Sequence, residues 1–191
     1  MIGRLPKSLA VNGREYAIRT DYRAVLAIFQ AFADPELSDR EKCAVCLKCL
    51  YKDVSAIPKE DIQQAIEAAY DFIGGGREHE DDGRGAKLLD WEQDEALIFS
   101  AVNKAAGCEV RALPYCHWWT FLGYFNEIGE GLLSAVISIR GKRAKGKRLD
   151  KWEKEFYREH KGMIDIKRRL SAEETAAEQA DAEFIKQLTG R

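Results

Sequence analysis

Apolar residues recur along this chain at intervals of three and four, except near the start, where they alternate. The alternating stretch is short. Leu9 and Val11 precede Asn12-Gly13, and Tyr16 and Ile18 follow it. Asn-Gly between alternating apolar positions predicts a tight β-hairpin, or an extended arm, over residues 1–20. Helical spacing then takes over. Tyr22, Val25, Phe29 and Phe32 share one face, Thr20 or Asp21 is placed to cap it, and Asp34-Pro35 ends it. A second helix is predicted from about Asp39 to Tyr51. Pro58 opens a third, with Glu60 and Asp61 at the positive end of its dipole and Ile62, Ile66, Ala69 and Ile73 inward. Gly74-Gly75-Gly76 stops it, and residues 74–87, rich in glycine and charge, read as a flexible surface loop.

Asp90 is predicted to cap a fourth helix, with Gln93 completing a capping box. Trp91, Ile98, Val102 and Ala105 would face inward, and Gly107 would end it. Pro114 opens an aromatic helix from Tyr115 to about Ile128, broken by Gly129 and Gly131. Leu132, Leu133, Val136 and Ile137 then form a helical seam, followed by a basic linker over 140–149. Asp150 with Glu153, and Ser171 with Glu174, signal two further helix starts. The last helix, 171–189, carries Ala177, Ala180, Phe184 and Leu188. The pattern predicts an all-α fold: one compact multi-helix domain, residues 1–191, with a short N-terminal β-hairpin or arm.

Composition agrees with a single domain: 191 residues, 46% apolar, with a formal charge of -2 that directs the chain to neither DNA nor an acidic membrane. No apolar run is long enough to span a bilayer, and no secretory signal opens the chain. The odd count of five cysteines fits free thiols in a reducing cytoplasm.

Several groups invite chemistry, and each meets an objection. Cys43, Cys46 and Cys49 form C-x-x-C-x-x-C, but Asp53 stands where an iron–sulfur run needs its fourth cysteine. Residues three apart on a helix diverge around the cylinder, so buried packing is the expected role. Cys116-His117 are neighbours, and neighbours on a helix do not face one another. Gly74-Gly75-Gly76-Arg77 lacks the ending of a phosphate loop, and Glu78, Glu80, Asp81 and Asp82 lack calcium-loop spacing. No catalytic residue, metal site or cofactor is therefore assigned, and an enzyme is not expected. Arg140, Lys142, Arg143, Lys145, Lys147 and Arg148 place six cations in nine residues, the one feature that points to nucleic-acid contact. A nucleic-acid-binding regulator using 140–148 is the alternative reading.

The densest signal is aromatic. Leu113 to Tyr157 holds three of the four tryptophans and nine of the nineteen aromatic residues, which marks a core, an interface or both. Within it, Trp118 is expected to turn into the core with Leu122 and Phe125. Trp119, on another flank with Tyr115, is expected to contact a partner.

Three blocks carry a resemblance: D-W-E-Q-D-E-A-L-I (Asp90 to Ile98), H-W-W-T-F-L (His117 to Leu122) and L-D-K-W-E-K-E-F-Y (Leu149 to Tyr157). With D-Y-R-A-V-L-A-I-F (Asp21 to Phe29) and D-P-E-L (Asp34 to Leu37), they resemble a tailed-bacteriophage family known only as gene product fifteen. The resemblance implies a phage or prophage protein of the tail-morphogenesis region, acting in the host bacterial cytoplasm. Its members look like assembly chaperones for the tape-measure protein or another tail component such as the tail tube. On that expectation a helical surface would cover the apolar faces of an elongated partner reversibly. Tyr115, Trp119, Tyr124, Leu132, Leu133 and Val136 are the candidate partner-binding residues. The competing expectation is that these side chains fill the protein's own core.

Overall fold

The structure is a computed structural model and describes residues 3–76 and 86–189, with side chains described through residue 181. The described residues form one two-stranded hairpin and nine α-helices. The all-α expectation with an N-terminal hairpin is borne out. Among the described residues no helix is long and apolar enough to cross a membrane.

Strands β1 (Ser8–Val11) and β2 (Arg14–Ala17) are antiparallel, with Leu9 opposite Tyr16 and Val11 opposite Arg14. Asn12 and Gly13 turn the chain with φ of 46° and 77°, the left-handed pair that a two-residue hairpin turn demands. Val11 and Tyr16 are buried from this hairpin, and Ile18 bridges to Tyr51. The Arg19 and Lys52 amides exchange hydrogen bonds with Leu50 O and Ala17 O, so the arm is stitched to the following helices.

Helix α1 (Tyr22–Ala33) is capped by Asp21, whose carboxylate accepts from Arg23 N. Helix α2 (Asp39–Leu50) starts at a capping box between Ser38 and Glu41. A 3-10 turn at Lys59–Asp61 leads into α3 (Ile62–Ile73), which the glycines end. Helix α4 (Glu95–Ala106) stops at Gly107, left-handed at φ 70°. Helices α5 (Trp118–Asn126) and α6 (Leu132–Ala144) follow. Then come α7 (Lys151–Glu159), capped as expected by Asp150 and Glu153, the single turn α8 (Lys161–Ile164), and α9 (Ala172–Thr189). Ser171 and Glu174 close the box at the start of α9.

Two apolar clusters organise these elements. The large one runs from the hairpin through α1 to α5 and takes in Leu133 at the start of α6. The small one joins Val136 and Ile139 of α6 to Ile164 of α8, with Phe156 and Tyr157 of α7 against it. Helix α4 packs on both α5 and α6 and so lies between them.

Three expectations need correction. The aromatic helix begins at Trp118, not Tyr115. Ahead of it the chain is extended, because Cys116 O accepts from Tyr22 N and Thr20 O accepts from Trp118 N, a bridge between Asp21 and His117. The segment 140–149 is not all linker. Helix α6 continues through Ala144, because Arg140 repeats the inward spacing of Leu133 and Val136. Helix α4 begins at Glu95 after a turn, and its expected inward Ala105 is exposed. Of the expected loop at 74–87, residues 77–85 lie outside the described residues, as do the acids Glu78, Glu80, Asp81 and Asp82 and the side chains of Phe184 and Leu188.

Candidate functional site

The aromatic helix is mostly core. His117 is its N-cap: Nδ1 accepts from Trp119 N at 3.0 Å, and Nε2 donates to Pro6 O at 2.9 Å, which fixes the tautomer and ties down the arm. Trp118 is 1% exposed, and its indole N–H donates to Ile73 O at 2.8 Å. Trp119 is half-buried, lies stacked with Phe72 at 5.9 Å, and donates to Phe72 O at 2.9 Å. The two adjacent indoles thus donate to two adjacent carbonyls at the C-terminus of α3, of which Phe72 O also accepts from Gly75 N. Trp118 sits where the spacing placed it. Trp119 is corrected from partner contact to packing on α3, because its N–H and one face are already engaged there.

The other partner candidates divide by burial. Leu133 and Val136 are buried and Tyr124 is half-buried against the core, so none of the three presents a free face. Tyr115 is 50% exposed, though its hydroxyl meets Thr20 Oγ1 at 2.6 Å, and Leu132 is also exposed. They flank α5 at its two ends and form no continuous patch along it.

One cation of the basic run is spent inside the molecule. Arg140 is buried, and its guanidinium grips Asp94 with two hydrogen bonds, at 2.6 and 2.9 Å. Its other N–H groups donate to Leu88 O, Met163 O and Ile164 O, so all five donors are satisfied. Lys142 pairs with Glu153 and Arg143 with Asp165. Arg140 is therefore corrected from a phosphate contact to a tie among α4, α6 and α8, while Lys142 and Arg143 make ion pairs at the surface with more than a third of each side chain exposed. Lys145, Lys147 and Arg148 remain exposed.

Asp90 extends this polar network. It is 2% exposed and accepts from Glu92 N, Gln93 N, Lys87 Nζ and Arg169 Nη2. Burial pushes its carboxyl up, but the Gln93 N–H, Lys87 and Arg169 together outweigh burial and hold it well below the usual carboxylate range. Gln93 does not return to cap Asp90. Its side chain donates to Asp165 O and accepts from Lys167 N, clamping the segment after α8.

The cysteine motifs are packing groups. Cys46 is fully buried, and burial pushes its thiol up to about 12, away from the thiolate that a metal or a nucleophilic step requires. Burial raises the Cys116 thiol as well, and its Sγ–H points to His117 O rather than to the ring. Both nitrogens of that ring are occupied. Among the described residues no group of three His, Cys, Asp or Glu is placed to hold a metal.

One concave feature escaped the spacing argument. Phe29, Phe32, Leu89 and Trp91 line a cleft of about 400 Å³ between α1 and the segment before α4, with Lys87, Glu92 and Arg169 among its polar edges. Phe29 and Trp91 stack at 5.0 Å on its floor. Helical spacing puts Phe29 and Phe32 at the edge of the inward face of α1, a signal that an apolar surface extends beyond the core. The partnering of Trp91 from a turn is tertiary and leaves no local trace.

A family model described as "Bacteriophage Gp15 protein" matches residues 1–166, and the chain belongs to that family. No curated protein and no solved structure matches the chain.

Proposed function

We propose that this phage protein serves tail morphogenesis as a non-enzymatic chaperone in the host cytoplasm, shielding apolar helical faces of the tape-measure protein or another tail component. The observation that carries this reading is the Phe29–Phe32–Leu89–Trp91 cleft on a member of the Bacteriophage Gp15 family. An amphipathic helix offers bulky apolar side chains at intervals of three and four, and an aromatic cleft with charged edges suits one such side chain and its polar neighbours. Arg169 and Glu92 on the rim, 2.9 Å apart, would orient that helix rather than supply its affinity.

Co-expression with the tape-measure protein of the same phage is the test. Soluble yield of the tape-measure protein should rise with the wild type and fall back with Phe32→Glu, which puts a charge in the cleft while the core beneath stays intact. An unchanged yield with the wild type sinks the chaperone reading. A rise that Phe32→Glu leaves untouched moves the interface to another face.

A further inference from the structure

The charge of this chain is divided unevenly. Residues 141–161 hold nine lysines and arginines against four acids, whereas the whole chain has a formal charge of -2, so the rest is net acidic. An approaching polyanion is therefore steered to the lobe of α6 and α7. Two of the four acids there are used locally. Asp150 accepts from Glu153 N, and Glu153, which is buried, returns to Asp150 N and pairs with Lys142.

Helix α7 sorts the remaining charges. Lys151, Lys154 and Arg158, at spacings of three and four, form one exposed cationic stripe. Trp152, Glu155 and Glu159 repeat the spacing on a second stripe, about 100° round the helix. The end of α6 adds cations to the first stripe. Gly146 is left-handed at φ 63°, its N–H donates to Arg143 O, and Lys147 N donates to Lys142 O, the two bonds that close a helix and turn its chain aside. Past that turn Lys142, Arg148, Leu149, Asp150, Lys151 and Lys154 line a groove of about 460 Å³. Arg148, Lys151 and Lys154, with Lys145 and Lys147 on the turn, are exposed, and among the described residues none of the five is in an ion pair.

We infer that this groove holds the phosphate backbone of a nucleic-acid duplex, contacted without regard to sequence. Three observations favour a duplex over other polyanions. Leu149 is the one apolar residue lining the groove, so an acidic amphipathic peptide finds no pocket for its anchors, whereas phosphates need only cations. An acidic bilayer would meet Glu155 and Glu159 on the stripe of Trp152, where their charge opposes insertion of the indole. A single strand binds through aromatic faces on which its bases stack, and no aromatic residue lines the groove. The site differs from the run 140–148 taken as a linear motif: it leaves out Arg140 and Arg143 and draws Lys151 and Lys154 from α7. It shares no residue with the cleft on α1 and does not rest on the chaperone reading.

Fluorescence anisotropy of the full chain with a short labelled DNA duplex, and with an RNA duplex of the same sequence, tests it. Binding should be present at about 50 mM salt, weaken about a hundredfold by about 200 mM, and be equal for a scrambled sequence. Arg148→Gln with Lys151→Gln and Lys154→Gln should lower affinity about tenfold or more and reduce the slope of log affinity against log salt by about 3. Glu155→Gln with Glu159→Gln, on the other stripe, should leave that slope unchanged. All five positions are exposed, so circular dichroism should show the fold intact. Binding of either duplex with this salt and variant dependence supports the proposal, and the tighter of the two names the source. Absence of binding at about 50 mM salt overturns it, as does binding that the triple variant leaves unchanged. Tighter capture of polyglutamate, or of phosphatidylserine vesicles, than of either duplex overturns it as well and gives the groove to an acidic protein or a membrane.

Discussion

The aromatic core around α5 and the lobe formed by α6, α7 and α8 are held by opposite means. In the core, rings touch in sequence: Tyr22 stacks on Phe121 at 4.5 Å, Phe121 on Trp118, Trp118 against Phe29, and Phe29 on Trp91. Non-directional burial supplies the stability there, and hydrogen bonds only finish the edges. In the lobe just three residues, Val136, Ile139 and Ile164, form the buried apolar centre. What fixes its position on α4 is the Arg140–Asp94 pair with its three carbonyls, assisted by Asp90 and Gln93. The comparison teaches that a lobe too small to define its own seat by area can be seated by geometry. A fully satisfied guanidinium accepts one arrangement, whereas an apolar patch tolerates several.

The sharpest break of the comparison is Trp118→Ala. It should lower global stability by about 3–5 kcal/mol, read as an equal shift in every probe during urea unfolding. Arg140→Ala should cost about 3–5 kcal/mol too, because Asp94 is left buried and uncompensated, but hydrogen exchange should quicken in α6 and α8 before the core responds. Replacing both partners, Arg140→Met with Asp94→Leu, should recover only part of that loss, because three carbonyls and Asp90 N still lose their partners, and should leave the lobe less uniquely placed, visible as broadened NMR signals from α8. If the double variant keeps α8 as sharply placed as in the wild type, geometry is not the lobe's main support.

Trp119→Ala should cost less, about 1–3 kcal/mol, since one hydrogen bond and a half-buried ring are lost. Acid should separate the two regions further. Asp90 has a depressed carboxyl in the folded protein, so its contribution is complete above the ordinary value of about 4 and is lost as pH falls below it. Thermal melts should show Asp90→Asn less stable than wild type at neutral pH, with the gap closing below about pH 4. The smallest effect belongs to Lys147→Ala, an exposed site on the turn between α6 and α7, which should stay within about 0.5 kcal/mol.

The difference also explains what the chain revealed before its structure was known. The helices of the core were legible because their support is periodic: Tyr22 and Val25 on α1, Ala69 and Ile73 on α3, and Ile98 and Val102 on α4 repeat the inward spacing and are buried. Local caps were legible at Asp21, Asp150 and Ser171 for the same reason, since each acts within a few residues. The lobe is less legible because charge in a sequence ordinarily marks solvent. Arg140 lies seven positions after Leu133 and four after Val136, and Asp94 lies one turn before Ile98, so two opposite charges at inward positions are the available signal. Their pairing joins residues 46 apart, which spacing alone cannot see. Trp119 was assigned outward because adjacent helical residues diverge; that both could reach α3, through Phe72 O and Ile73 O, depends on the crossing of two helices.

The distribution of the four indoles makes the protein its own optical instrument. Trp91, Trp118 and Trp119 are wholly or partly enclosed beside other rings, while Trp152 stands in solvent on α7. Iodide should therefore quench one emission component, the red-shifted one, and Trp152→Phe should abolish that component while leaving the blue-shifted remainder. Any surface that covered Trp152 would be seen as a blue shift and a loss of quenching, with no label attached to the chain.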